Sequence, residues 1–137
     1  MKSSKLKLSH IASLTVQQLT QFLQVTPARA SYLRGLAQFQ IIPSIGPKIA
    51  ERVVSMGYFS LDELQGVDPV DLTNRMELHL GCWEDPCVED AMRCIVHHAS
   101  HPGNELSWFD FTAERKQYRS QHGYPATRPT TAWYDKR

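Results

Sequence analysis

Two stretches of helical periodicity are separated by only six residues, Ile42-Pro43-Ser44-Ile45-Gly46-Pro47, and helices joined by so short a connection must pack as a hairpin. The first stretch opens at Thr26, whose side chain can accept from orphan amide hydrogens, and at Pro27, whose ring is pre-set for the first helical position. It runs to about Phe39 with an apolar stripe of Ala30, Leu33, Leu36 and Ala37. Arg29 and Arg34 lie off the stripe, and Gly35 either weakens the helix or admits a close neighbour. Pro43 pushes the residue before it out of the α region and ends the run, Gly46 permits a positive φ, and Pro47 suits a new helix start. In that next helix Ile49, Ala50, Val53 and Val54 form the apolar face, with Lys48, Glu51, Arg52 and Ser55 opposite, and Gly57 stops it.

Similar punctuation runs along the rest of the chain. Thr15 and Gln18 have capping-box spacing over a short helix ending near Gln24, on which Val16, Leu19 and Leu23 recur at helical intervals. Ser60 and Glu63 repeat that spacing over Leu61 to Gln65, closed by Gly66. Asp68-Pro69 opens a helix with the ladder Leu72, Met76 and Leu80, ended by Gly81. Asp85-Pro86 opens the last one, with Val88, Ala91, Met92, Ile95, Val96 and Ala99 at helical spacing, ended by His101-Pro102-Gly103. No segment shows sustained strand alternation, so the class is all-α. With 137 residues there is enough chain for one core of ordinary size, and the expectation is a single compact domain of five or six short helices spanning 15–111. Residues 28–56 and 69–100 form a weak internal repeat of helix, turn and helix. The flanks, 1–14 and 112–137, are expected to be flexible basic tails, with order beginning near Thr15 and Pro125 and Pro129 opposing regular structure beyond Gly123. Between domain and tail, Trp108, Phe109 and Phe111 are expected to dock on the helices, since three exposed aromatics would make a costly patch.

A net charge of +1 hides an uneven distribution. Through Ser60 seven Lys or Arg face the single acid Glu51, whereas Leu61 to Ser107 holds ten acids against Arg75 and Arg93. A polyanion would meet the first half and be repelled by the second, unless the two halves neutralise each other in the fold. No apolar run approaches a bilayer span, and the apolar residues after Lys2, Lys5 and Lys7 are broken by Ser9, His10 and Ser13, so neither membrane insertion nor export is expected. Cys82, Cys87 and Cys94 are an odd number for a disulfide framework and are read as thiols in the cytoplasm.

Cys87, Cys94 and His98 fall near one face of the last helix, with His79, Cys82, His97 and His101 nearby in sequence, but no C-x₂₋₄-C pair is present and buried thiols are expected rather than a metal site. Asp85, Glu84, Glu89 and Asp90 crowd Cys87 with negative charge, which raises a thiol pKa and opposes nucleophilic use. Neither phosphate-binding loop nor dinucleotide fingerprint nor hydrolase motif occurs. No enzyme, no cofactor and no small-molecule substrate are expected.

The segment Ile42 to Arg52 resembles the helix-hairpin-helix motif of DNA repair and recombination proteins, whose hairpin usually reads hydrophobic-Pro-Gly-hydrophobic-Gly. A wider likeness covers roughly Gln40 to Phe111: the connector Ser60 to Pro69, Asp85-Pro86-Cys87, Arg93-Cys94 and the aromatic run Trp108 to Phe111 are similar in order and spacing to helix-hairpin-helix proteins of the pathogenicity-locus family, some of which carry a mitomycin-resistance label. The resemblance implies a tandem helix-hairpin-helix-like (SAM-like) arrangement and sequence-independent binding of DNA, duplex or single-stranded, by its phosphate backbone. It also implies that the N–H groups of Ile45 and Gly46 face the phosphate, backed by the positive end of the following helix, with Lys48 and Arg52 reaching adjacent phosphates and Arg29 and Arg34 extending the footprint. Ser44 replaces the motif's first glycine and either hinders a phosphate or adds a hydroxyl donor. A role as an accessory factor in DNA repair or drug tolerance follows from this reading. The alternative is a protein-protein interaction module whose acidic half takes a basic partner.

Overall fold

In a computed structural model that describes residues 7–135, the chain divides into two compact units, one ending at Leu64 and the other beginning at Gln65. Lys2, Lys5, Lys136 and Arg137, all counted among the basic tails, lie outside the described residues. Those described are all-helical, without a strand; Trp83 and Ala132 make an isolated parallel bridge.

The first unit contains α1 (Leu8–Ser13), α2 (Val16–Leu23), α3 (Pro27–Gln40), α4 (Pro47–Ser55) and a 3₁₀ turn at Leu61–Leu64. The punctuation read from sequence is realised at atomic detail. Thr15 and Gln18 exchange both bonds of a capping box, at 3.0 and 2.9 Å, and the Thr26 side chain accepts from the Arg29 N–H at 3.1 Å. Helix α1, however, occupies a segment expected to be loosely held. Two side chains of α3 reach its C-terminal end: Gln38 donates to the Ala12 carbonyl at 3.1 Å and Arg34 to the Leu14 carbonyl at 2.8 Å. These satisfy carbonyls that a short helix leaves unpaired, which local periodicity could not reveal. Leu19, Ala30, Ala37, Phe39, Ala50, Val53 and Leu64 are buried, while Leu33 and Leu36 of the expected stripe are half-buried. Gly35 proves to be a point of close approach. A Cβ there would stand 3.1 Å from Val54 Cγ2 and 3.2 Å from the Phe59 Cα, so α3 and the chain after α4 can meet only over a bare backbone.

In the second unit α5 (Pro69–Leu80) is capped by Asp68 and closed by left-handed Gly81, and α6 (Pro86–Ser100) is capped by Asp85. A 3₁₀ turn (Trp108–Phe111), α7 (Thr112–His122) and a last 3₁₀ turn (Trp133–Asp135) complete it. Every residue of α6 from Val88 to Val96 is buried, including Glu89, Asp90 and Arg93. The acidic middle of the chain is therefore solvated only in part, since Asp62, Glu63, Asp68, Asp71 and Glu105 are exposed and others are not. Glu77, Glu84, Glu89 and Asp90 are all buried, at 4 % exposure or less.

Burial of these carboxylates is offset by arginines from the segment expected to be a flexible tail. Glu89 accepts from Arg93 at 3.1 Å on one oxygen and from Arg119 at 2.9 Å on the other. Asp90 accepts from Arg115 at 2.7 Å and from the Thr112 hydroxyl at 2.8 Å. Glu77 takes Arg128 in a bidentate pair, at 2.8 and 3.0 Å, and the Glu84 N–H at 2.8 Å. The Arg128 guanidinium lies 3.8 Å from the Tyr124 ring centroid and 5.5 Å from that of Trp83. Helix α7 thus occupies the first part of the segment expected to be a flexible tail, while 123–132 are without regular structure, as Pro125 and Pro129 imply, and are held at Arg128 and Ala132. Of the aromatic run, Phe111 is buried, Trp108 is half-buried and Phe109 stays 61 % exposed, so the expected cluster docks only in part.

Removing one partner of a buried pair leaves the other charge uncompensated, at a cost of about 3–5 kcal/mol, whereas an exposed pair contributes about 1 kcal/mol or less. Glu89→Gln should accordingly lower the urea midpoint by the equivalent of about 3 kcal/mol, while Asp71→Asn, which breaks the exposed pair with Arg75, should scarcely move it.

Candidate nucleic-acid interface

Helix α3 ends at Gln40, and the Ile41 and Ile42 N–H groups donate back to Ala37 and Phe39 at 3.2 and 3.3 Å. The chain then turns. The Ile45 N–H donates to the Ile42 carbonyl at 3.1 Å, Pro43 holds the second position, and Ser44 in the third has φ +71°. A proline second and a positive φ third are the signature of a type II turn, whose third position favours glycine. Ile42 and Ile45, both buried, pin the turn from either side.

This geometry corrects the sequence reading twice. The positive φ falls on Ser44, while Gly46 has φ −96° and space for a side chain, with nothing within 4 Å of an added Cβ. Glycine in place of Ser44 would relieve the backbone, which gives that position a conformational reason for glycine independent of any ligand. The Ile45 N–H, moreover, is satisfied inside the turn and cannot serve an external anion.

What the turn does present is the start of α4. Gly46 is its N-cap residue and Pro47 its first helical position, and no side chain caps it. The Gly46 carbonyl accepts from the Ala50 N–H at 3.1 Å, so the amides of Lys48 and Ile49 precede the first helical bond. Together with the Gly46 N–H, which has no backbone acceptor among the described residues, they form the positive pole of α4. Sequence reasoning missed Ile49 as a donor. Pro47 was the available signal, because a proline in the first position makes the next two residues the donors of the first turn.

The side chains around this pole differ in availability. Lys48 is exposed at the mouth of the turn and Arg52 is half-buried one turn on. Arg29 is exposed with its guanidinium 5.2 Å from the Tyr32 ring centroid, and the Tyr32 hydroxyl donates to Glu51 at 3.5 Å. Arg34 is committed to the Leu14 carbonyl and acts as a tether within the first unit.

The corresponding turn of the second unit, Gly81 to Asp85, is closed to such use. The Asp85 carboxylate accepts from the Cys87 N–H at 3.0 Å, and that bond holds its pKa below the ordinary carboxylate value. Trp83 exchanges backbone bonds with Thr131 and Trp133, both at 2.9 Å, which covers the turn. The Cys87 thiol is pushed up to about 11 by burial and then by Asp85, so it is protonated at neutral pH. Burial and Asp110 push Cys94 to about 11 as well, and its sulfur donates to the Leu106 carbonyl, which His98 Nε2 also meets at 2.8 Å. None of the three cysteines is in a disulfide. Among the described residues no three His, Cys, Asp or Glu converge to hold a metal ion, and no helix is long and apolar enough to cross a membrane.

An all-helical chain with this order of turns and connectors can be placed among known proteins. Residues 32–117 match the pathogenicity locus (Cdd1) family, and the chain belongs to it. It is also similar to the mitomycin resistance protein McrB of Streptomyces lavendulae, with 29% identity over 82 residues, or 59% of this chain and 76% of the relative. No solved structure matches.

The strain at Ser44 is open to direct measurement. Relief of a left-handed φ is worth about 1–2 kcal/mol, from which the greater freedom of glycine in the unfolded chain subtracts about 0.4–1 kcal/mol. Ser44→Gly should therefore raise the melting temperature by a few degrees, and Ser44→Val, whose branched side chain resists this region, should lower it. The reverse order would show that the turn relaxes to another conformation.

Proposed function

We propose that α3, the turn and α4 form a helix-hairpin-helix element that holds the phosphate backbone of nucleic acid without reading base sequence, and that the protein serves as a non-catalytic accessory factor in DNA repair or drug tolerance. One observation carries this reading: the N-terminus of α4 is uncapped and lies beside the exposed Lys48. A phosphate oxygen there would accept from the Gly46, Lys48 and Ile49 amides, and Lys48 would supply the compensating charge. Arg52, one turn along, is placed to meet a neighbouring phosphate. These donors see only backbone oxygens, so the binding carries no base preference. The name of the Streptomyces relative, a mitomycin resistance protein, supports the link to drug tolerance. Arg34 already spends its Nε–H on the Leu14 carbonyl and is given no part in the proposed footprint.

The alternative, a module whose acidic half takes a basic protein partner, has lost its best residues to the protein's own arginines. Glu77, Glu89 and Asp90 are already paired internally.

One hairpin meets few phosphates, so binding is expected to be weak, on the order of ten to a hundred micromolar at physiological salt, with a log–log salt slope of roughly −2 to −4. Fluorescence anisotropy with duplex, branched and single-stranded oligonucleotides measures both. Lys48→Glu combined with Arg52→Glu should abolish the signal. Gly46→Asp is the sharper test, because the new carboxylate would cap α4 from within and expel the phosphate while leaving the melting temperature unchanged or raised. Retained affinity in a folded Gly46→Asp protein, or binding insensitive to salt, would refute the proposal.

A further inference from the structure

Helices α1 and α2 enclose an open groove of about 560 Å³, lined by His10, Ser13, Leu14, Gln18, Gln21 and Phe22. Sites for small ligands typically measure about 300–1,000 Å³. Leu14 is half-buried in this groove, whereas the Phe22 ring is 61 % exposed. The groove lies outside residues 32–117, which carry the family match. We propose that it takes an unpaired nucleobase, stacked on Phe22, from a strand whose backbone is held at the start of α4. The inference rests on the phosphate reading and narrows it from nucleic acid in general to single-stranded or branched forms.

The lining suits a base in polarity as well as size. Gln18, Gln21 and Phe22 share one face of α2, so amide groups flank the aromatic ring. Gln18 Oε1 accepts from the Thr15 N–H at 2.9 Å, which fixes that amide with Nε2 left to donate. Among the described residues nothing accepts from it, and the Gln21 amide has no hydrogen bond at all. An apolar occupant, such as the greasy face of a partner helix, would strip water from these amides without replacing its bonds. A heterocycle with ring donors and acceptors replaces them.

Charge and position agree with a strand. From Lys7 to Lys48 the Lys and Arg residues are Lys7, Arg29, Arg34 and Lys48, with no Asp or Glu between them, so a polyanion meets no local repulsion. Arg34 and Gln38, in the second half of α3, hold the Leu14 and Ala12 carbonyls at 2.8 and 3.1 Å. One wall of the groove is thereby pinned toward the end of α3 that leads through the turn into the α4 pole. A cationic backbone contact joined to an exposed aromatic is the combination by which proteins hold single strands without reading sequence, since every base has a face to stack. A base inside a duplex is already stacked on both sides and cannot enter.

Fluorescence anisotropy of the full-length protein tests this with four labelled probes of equal length, about 12 nucleotides: a single strand, an abasic strand, a blunt duplex and a duplex with a single-stranded overhang. The single strand and the overhang should bind more tightly than the other two. Phe22→Ala should weaken single-strand binding by roughly five- to a hundredfold, to the level of the abasic strand, and leave the abasic strand and blunt duplex unchanged. Phe22→Trp, which keeps an aromatic face, should retain the preference. Phe22 is largely exposed, so both variants are expected to fold, which a circular dichroism melt verifies. Equal affinity for all four probes, or undiminished single-strand affinity in folded Phe22→Ala, would overturn the inference and leave the phosphate reading standing. A dimer in sedimentation velocity that Phe22→Ala dissociates would assign the groove to a second copy of the chain and overturn it likewise. Failure of the unaltered protein to bind any probe would overturn both readings.

Discussion

Two adjacent carboxylates in the middle of a buried helix govern how this chain distributes its charge. Glu89 and Asp90 lie within α6 at 3 % and 0 % exposure, where an ionised group is tolerated only if every oxygen is engaged. They cannot be satisfied locally, because α6 supplies one arginine, Arg93, and that reaches only Glu89. The other partners, Thr112, Arg115 and Arg119, must come from α7. Order in the last quarter of the chain is therefore a consequence of charge buried earlier in it. Glu77 imposes the same condition on Arg128 and, through Trp83, on residues 131–133. Arg93, Arg115, Arg119 and Arg128 are consequently spent on internal pairs, whereas in the first unit Lys48 is exposed at the pole of α4.

What could be read from the sequence divides along the range of the interactions. Capping is local, so Thr15 with Gln18, Thr26 with Pro27, Asp68 with Pro69 and Asp85 with Pro86 each marked a helix start where one occurs. The ion pairs span 25, 30 and 51 residues for Arg115, Arg119 and Arg128, and nothing in the neighbourhood of an arginine announces so distant a carboxylate. Composition in fact misled, since a run of acids followed by a run of bases reads as solvated surface followed by tail. Helix α1 was hidden for a related reason: it is too short to show a period, and the carbonyls at its end are held by Arg34 and Gln38 from 20 and 26 residues away.

The turn of the candidate site was legible in outline, whereas its conformation was not. Pro43, Gly46 and Pro47 located the turn, but the identity of the left-handed residue depends on which neighbours are buried. With Ile42 and Ile45 both anchored, the chain must reverse between them, and the positive φ falls on Ser44. The same reversal directs the Ile45 amide inward. Dropping the Ile45 amide and adding those of Lys48 and Ile49 to that of Gly46 leaves the proposed site at the same helix pole with a different set of hydrogens. A glycine-for-serine difference at residue 44 bears first on turn stability and only secondarily on any ligand.

The two hairpins show how a single residue decides whether a helix start is structural or available. Both α4 and α6 begin with proline, so in both the first amides that a cap could take belong to the residues just after it. In α6 the preceding residue is Asp85, whose carboxylate takes the Cys87 amide and leaves little positive potential for an outside anion. In α4 the preceding residue is Gly46, which has no side chain to offer, although the backbone there would accept one. An aspartate or serine at that position would satisfy the helix at a gain in stability of a few tenths of a kcal/mol. Glycine forgoes that gain and leaves α4 without a side-chain cap beside the exposed Lys48, the contrast with α6 on which the proposed phosphate site rests.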